Sequence, residues 1–185
     1  MPRTDTAALI AALEQAVPGV RIESAATIDL QPTVYVAAED LPAVARALAD
    51  TPPLAFSLLV ELTAVDFWPR EPRFELVYIV VSVINRLRLR MKVRLPSDAA
   101  HVDTVCGIWP AANWLEREVW DLFGIAFDGH PDPRRLLMPE DWDGFPLRKD
   151  YPVQIRKTPE SSSALQMTAE EFRANVAKDR LTRER

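Results

Sequence analysis

The residues able to do acid-base or ion-pair chemistry concentrate between Glu116 and Tyr151. Glu116, Arg117, Glu118 and Asp121 share one short stretch, and His130, Arg134, Arg135, Asp141, Trp142, Arg148, Lys149, Asp150 and Tyr151 follow. Carboxylates at this spacing, with His130 as a third titrating group, could serve as a general acid and base. The structural alternative is that they form ion pairs. A carboxylate at the margin of a buried helix face needs a cation or a hydrogen-bond donor to offset desolvation. Arg134, Arg135, Arg148 and Lys149 are the nearest cations in sequence. No nucleophile, metal constellation or phosphate loop accompanies the acids, so the expectation is structural pairing rather than turnover.

Composition removes other chemistries. One cysteine, Cys106, and two histidines, His101 and His130, cannot assemble a structural zinc site or hold an iron-sulfur cluster. A lone thiol forms no disulfide framework, suits a reducing compartment and is expected to be buried and inert. The 5 glycines never fall in a nucleotide-cradling G-x-G-x-x-G or G-x-x-x-x-G-K pattern. The longest apolar stretches are shorter than the roughly 20 residues a membrane span needs. The N-terminus has an acidic Asp5 and helical periodicity where a secretory signal would be basic and then apolar, so it reads as cytoplasmic and uncleaved. With 16 prolines against those 5 glycines, the loops should be stiff.

The elements that must position these residues follow from periodicity. A helix is predicted over 4–16, with Leu9, Ile10, Leu13 and Val17 on one face and Pro18-Gly19 as its stop. Short strands are predicted over 20–24 and 33–37. A helix should then begin with Asp40 as cap and Pro42 in its first turn, burying Val44, Ala45, Leu48 and Ala49. Three longer strands, over 56–66, 73–84 and 86–95, have connections short enough for an antiparallel meander. The middle one is apolar on both faces and should be central. The last alternates, with Leu87, Leu89, Met91, Val93 and Leu95 inward and Arg88, Arg90, Lys92 and Arg94 in an outward row. That row lacks the aromatics that stack on unpaired bases. It reads as a solvated face that resists edge aggregation, or as a surface for an acidic partner or an acidic part of this chain.

A short helix is predicted over 99–106 and a second over 113–123, with Asn113 as cap and Gly124 closing it. On the second, Leu115, Val119, Leu122 and Phe123 form the buried stripe. Glu116 and Glu118 flank it, and Arg117 and Asp121 point away. Residues 125–152 then run with little periodicity and carry Pro131, Pro133, Pro139, Pro146 and Pro152, together with Phe127, Trp142, Phe145 and Tyr151. A loop this long is functional or disordered, and its aromatics argue against disorder. Either it is a preorganised protein interface, or it is an internal cover on the protein's own sheet. Residues 153–185 hold a weak helix capped by Thr168, with Glu171 as in a capping box.

The string NWLEREVWDLFGIAFDGHPDPRRLLMPEDWDGFPLRKDYP, residues 113–152, resembles the 30 kDa subunit family of the proton-pumping NADH-quinone oxidoreductase, respiratory complex I. The family's signature helix is matched by Glu116-Arg117-Glu118 and Asp121-Leu122-Phe123-Gly124, and its loop by His130, Arg134 and Arg135. Its closing part is matched by Pro139-Glu140-Asp141-Trp142 and by Pro146-Leu147-Arg148-Lys149-Asp150-Tyr151-Pro152. Pro72-Arg73-Phe74-Glu75-Leu76-Val77-Tyr78 is similar to the family's central strand, and Trp109-Pro110-Ala111-Ala112-Asn113-Trp114 to its approach to the helix. The turn VVSVINR departs from relatives, which are often more polar there.

The resemblance implies an α/β domain of α+β type over residues 1–152, built on a mostly antiparallel sheet with helices packed on it and followed by a long ordered loop. Residues 153–185 would be an extension lying along neighbouring subunits. It implies a subunit of the peripheral arm with no catalytic residue, metal or cofactor of its own, the FMN, iron-sulfur clusters and quinone belonging to other subunits. The implied neighbours are chiefly the quinone-site subunit, with a cluster-bearing subunit and a ferredoxin-like subunit nearby, on the cytoplasmic side of a bacterial membrane. Equivalent subunits of complex I-like membrane hydrogenases and ferredoxin-linked dehydrogenases share the motif. A freestanding acid-base enzyme is the competing class.

Overall fold

The computed structural model describes residues 6–29, 31–152 and Glu170; the helix predicted near Thr168 lies outside them. Helix α1 (Thr6–Ala16) is followed by the short strands β1 (Glu23–Ala25) and β2 (Thr33–Tyr35), then by helix α2 (Leu41–Asp50). The long strands are β3 (Leu58–Asp66), β4 (Phe74–Ser82) and β5 (Leu87–Leu95). They form one mixed five-stranded sheet in the order β1-β2-β5-β4-β3, antiparallel except where β2 runs parallel to β5. The fold is therefore α/β of α+β type, and the predicted meander is present. Strand β4 lies inside the sheet as its apolar sequence demands, but the middle position goes to β5, because β2 adds to the far side of that strand.

Alternation decides which face is buried. Leu62, Tyr78, Met91 and Val34 stand opposite one another across four strands, and all are buried. Leu9 and Leu13 of α1 join the same core, as do Leu41, Val44 and Leu48 of α2. Asp40 precedes α2 but makes no capping bond through its side chain; a 3-10 turn over Ala38–Asp40 leads in instead, and Pro42 sits in the first turn.

On the opposite face the basic row of β5 meets acids of the same chain. Arg90 pairs with Asp29 at 2.5 Å and Lys92 with Glu75 at 2.6 Å, while Arg94 lies 3.9 Å from the Tyr35 ring centroid and 3.9 Å from a Glu75 oxygen. Of the meanings open to that row, these pairs favour an acidic part of this chain.

The prediction of a helix over 99–106 fails. His101–Asp103 is strand β6, paired parallel with β7 (Ala126–Asp128) across helix α3 (Ala112–Phe123). The Ala126 N–H donates to Ala100 O and the Thr104 N–H to Asp128 O, both at 2.9 Å. The backbone groups that a local helix would use are thus taken by a strand beyond α3, and no local pattern announces that pairing. Helix α3 begins one residue before Asn113, which does not cap it, and ends as expected at Gly124 with φ 71°.

Candidate functional site

Helix α3 is enclosed from two sides. Its Val119 and Phe123 face the sheet core, while the chain after β7 folds back over the other flank. For this reason Arg117 and Asp121, expected to point away from the buried stripe, are themselves buried, and Glu116 is fully so. The loop over 130–151 is an internal cover for α3 rather than for the sheet alone.

The covering loop is held by charges placed against backbone groups. One oxygen of Asp121 accepts the N–H groups of Leu136, Leu137 and Met138 at 3.0, 2.7 and 2.9 Å, and the other accepts from Arg135 Nη1 at 2.7 Å. Burial opposes ionisation of Asp121, but these four donors outweigh it and hold the carboxyl below its ordinary range. Arg135 reaches onward to the carbonyls of Trp142 and Gly144 and lies over the rings of Trp120 and Phe145. Arg117 donates to the carbonyls of Arg134 and Arg135 at 3.0 and 3.1 Å. Arg148 Nε donates to Phe123 O at 2.5 Å and Nη2 to Gly124 O at 3.2 Å, meeting carbonyls left open where α3 ends.

The end of the loop is locked to the sheet at Asp150 by Arg73 and Asp66, two residues not among the candidate site residues read from the sequence. Arg73 donates to Asp66 through Nε and Nη2 at 3.0 and 2.9 Å, and to Asp150 through Nη1 and Nη2 at 3.0 and 2.7 Å. Asp66 also accepts from the Trp68 and Lys149 amides, both at 2.9 Å. Burial would raise its carboxyl, yet Arg73 and the two amides bring it to about 2. The signal for this clamp was an arginine and an aspartate at the facing ends of two predicted strands, but Asp150 is remote in sequence.

Glu116 binds elsewhere. It accepts from the Thr104 hydroxyl at 2.5 Å, the Val105 N–H at 2.8 Å and the Cys106 thiol at 3.4 Å. None of the four cations proposed from sequence as partners reaches it. Burial nevertheless raises its carboxyl above the ordinary value, with these donors and His130 pulling the other way. Burial also pushes the Cys106 thiol up to about 11, although that side chain is only partly covered. A thiol so held is a weak nucleophile.

Cys106, Glu116 and His130 bring ligand-type atoms within 4.8 Å of one another. Their hydrogen bonds do not suit a metal. The Asp132 N–H donates to His130 Nδ1 at 3.0 Å, so Nε2 carries the proton and donates to Asn113 O at 3.1 Å. Both ring nitrogens are engaged, and the carboxylate already takes three donors. A cavity of about 100 Å³ beside Glu116, lined also by Trp120, Phe127 and Pro133, is too small for most substrates.

The acid-base reading loses its geometry as well, because Glu116 and Asp121 serve separate networks. Glu118 is half-buried without an ion-pair partner among the described residues. Arg134 is exposed and pairs with Asp132 at 2.6 Å. Asp141 and Lys149 are exposed, and Trp142 stacks on Tyr151 with centroids 6.4 Å apart.

Residues 34–157 match the family model described as respiratory-chain NADH dehydrogenase, 30 Kd subunit. An NADH-quinone oxidoreductase subunit of Geotalea uraniireducens (strain Rf4) is 49% identical over 122 residues, covering 66% of this chain and 73% of that protein. Its counterpart in Roseiflexus sp. (strain RS-1), also an NADH-quinone oxidoreductase subunit, is 47% identical over 150 residues, covering 80% of this chain and 85% of its own length. Among solved structures, the trypsin-resistant fragment (1-134) of Nqo5 is similar at 33% identity and TM-score 0.55, over 67% of this chain and 98% of the fragment. A chain of the membrane-bound sulfane sulfur reductase, an archaeal respiratory membrane complex, is similar at 27% identity and TM-score 0.67, over 81% of this chain and 87% of that one.

Proposed function

From the premise that the chain belongs to the respiratory-chain NADH dehydrogenase 30 kDa subunit family, we propose that it is a structural and assembly subunit of the peripheral arm of an NADH-quinone oxidoreductase. In that role it holds redox subunits in fixed relation while electrons pass from NADH to quinone and protons are moved. The observation that carries the reading is the saturation of the buried acids of α3. Asp121 and Glu116 spend their lone pairs on the chain's own loop and turn, which ties these segments to the helix and leaves neither of the two free to act as an acid or base.

The redox groups, FMN, iron-sulfur clusters and quinone, then belong to neighbouring subunits, since electron transfer needs a centre that one cysteine and two histidines do not supply. The quinone-site subunit is the expected principal neighbour, with the cluster-bearing and ferredoxin-like subunits close by. Exposed members of the signature loop, Arg134, Asp141, Lys149 and Asp150, are the residues offered to those neighbours, and residues 153–185 form the extension that docks on them. No helix among the described residues is long and apolar enough to cross a membrane. That is compatible with a peripheral position on the cytoplasmic side, reached through the complex.

A second reading, an equivalent subunit of a complex I-like hydrogenase or ferredoxin-linked dehydrogenase, draws on the likeness to the sulfane sulfur reductase chain. The higher identity to NADH-quinone oxidoreductase subunits favours the first. Affinity purification of the tagged chain from native membranes, with its companions identified, tests both. Co-purifying NADH-binding and quinone-site subunits are expected; a nickel-iron large subunit would overturn the NADH assignment, and a chain recovered alone would overturn the assembly role.

A further inference from the structure

The face of the sheet opposite the helices ends in an apolar corner. Val83 and Ile84, in the turn between β4 and β5, are 64% and 82% exposed, and Leu58 and Val60 at the start of the edge strand β3 are 45% and 46% exposed. Leu58 stands opposite Val81, so the four side chains gather at one end of the sheet. The turn is tied down. The Asn85 side-chain amide donates to the carbonyls of Pro52, Pro53 and Leu54 at 3.2, 3.1 and 3.2 Å, and the Asn85 N–H donates to the buried Ser82 hydroxyl at 3.3 Å. Water gains nothing from branched aliphatics displayed on a fixed turn, whereas a partner covering them would have little chain entropy to remove.

The rim of the corner is cationic. Arg86 and Arg88 are exposed and have no ion-pair partner among the described residues. Further along the same strand, Arg90, Lys92 and Arg94 are met by Asp29 and Glu75. The unmatched charge therefore sits beside the unmatched apolar surface. We propose that this corner is a docking surface for a protein partner presenting an apolar recess bordered by carboxylates. The proposal rests on the reading that the chain works within a multi-subunit assembly, and it adds the place and chemistry of one contact.

The test uses the assembled complex. With p-benzoylphenylalanine in place of Ile84, irradiation should join this position to a co-purifying subunit, at a segment where apolar residues lie beside Asp or Glu. The paired change Val83→Asp with Ile84→Asp should lower recovery of the chain in the complex by at least about tenfold, as loss of a central apolar contact does. Arg88→Glu should lower it less. The isolated variants should keep the wild-type circular dichroism and melting temperature, because the altered side chains are exposed. Wild-type recovery of every variant overturns the proposal. So does a cross-link to a second copy of this chain, or flotation with phosphatidylglycerol vesicles that depends on Ile84. If the wild-type chain itself is recovered alone, the assembly reading fails first; if it assembles and the variants do too, only the docking corner fails.

Discussion

Neighbouring arginines do different work at the residue scale. Arg135 is 15% exposed in its side chain and binds a fully buried Asp121, whereas Arg134 is 76% exposed and holds Asp132 at the surface. Removing one member of a buried pair strands the other charge, at about 3–5 kcal/mol. Arg135→Glu should therefore unfold at much lower urea than wild type, by a loss of about that size, while Arg134→Glu should leave the unfolding midpoint close to wild type. Equal midpoints in a urea titration would show that Asp121 finds its compensation from the backbone amides alone. If Arg134 nevertheless faces a neighbour, as proposed, its reversal should weaken assembly without weakening the fold.

Helix α3 is the element on which the domain's closure depends, because it is clamped at both ends by chain that follows it. At its C-terminus Gly124 adopts φ 71°, and a β-carbon there would collide with the Phe145 ring and lie 2.7 Å from an Arg148 nitrogen. Both are the groups that close the helix. Gly124→Ala is expected to cost more than about 1 kcal/mol, through backbone strain together with displacement of the Arg148 cap. Thermal unfolding of this variant beside Arg148→Ala should give similar losses, and the double variant less than their sum, since the two changes act on one contact. Strict additivity would mean that the cap and the glycine act independently.

The acid response of the whole molecule follows from where its carboxylates point. Asp66 is held at about 2, and Asp121 and Asp150 below their ordinary values, so each stabilises the fold above about pH 4 and loses that contribution as pH falls through its lowered value. Glu116 has the opposite sign. Its raised value favours folding at low pH, and that contribution fades as pH rises through it. With Asp29, Glu71 and Asp132 lowered too, the lowered acids among the described residues outnumber the one raised and predict a fold that weakens on acidification, with unfolding midpoints dropping between about pH 5 and about pH 2. Arg73→Met should flatten that dependence by releasing Asp66 and Asp150; an unchanged slope would mean that the clamp does not govern acid stability.

Much of this was legible in the chain itself. Period-two alternation in β5, the double-sided apolarity of β4 and the Gly124 stop of α3 follow from local spacing, because each depends on side chains only a few residues apart. The string from Glu116 to Tyr151 likewise carried the family. Tertiary structure alone decided the partners. Asp121 reaches Arg135, yet Glu116 turns to Thr104 and Val105, and Asp150 meets Arg73 across the length of the domain. Strand β6 read as a helix for the same reason, since its hydrogen bonds come from β7, beyond α3. A charge or an amide carries no sign of which distant group will satisfy it; only the packed chain brings that group within reach.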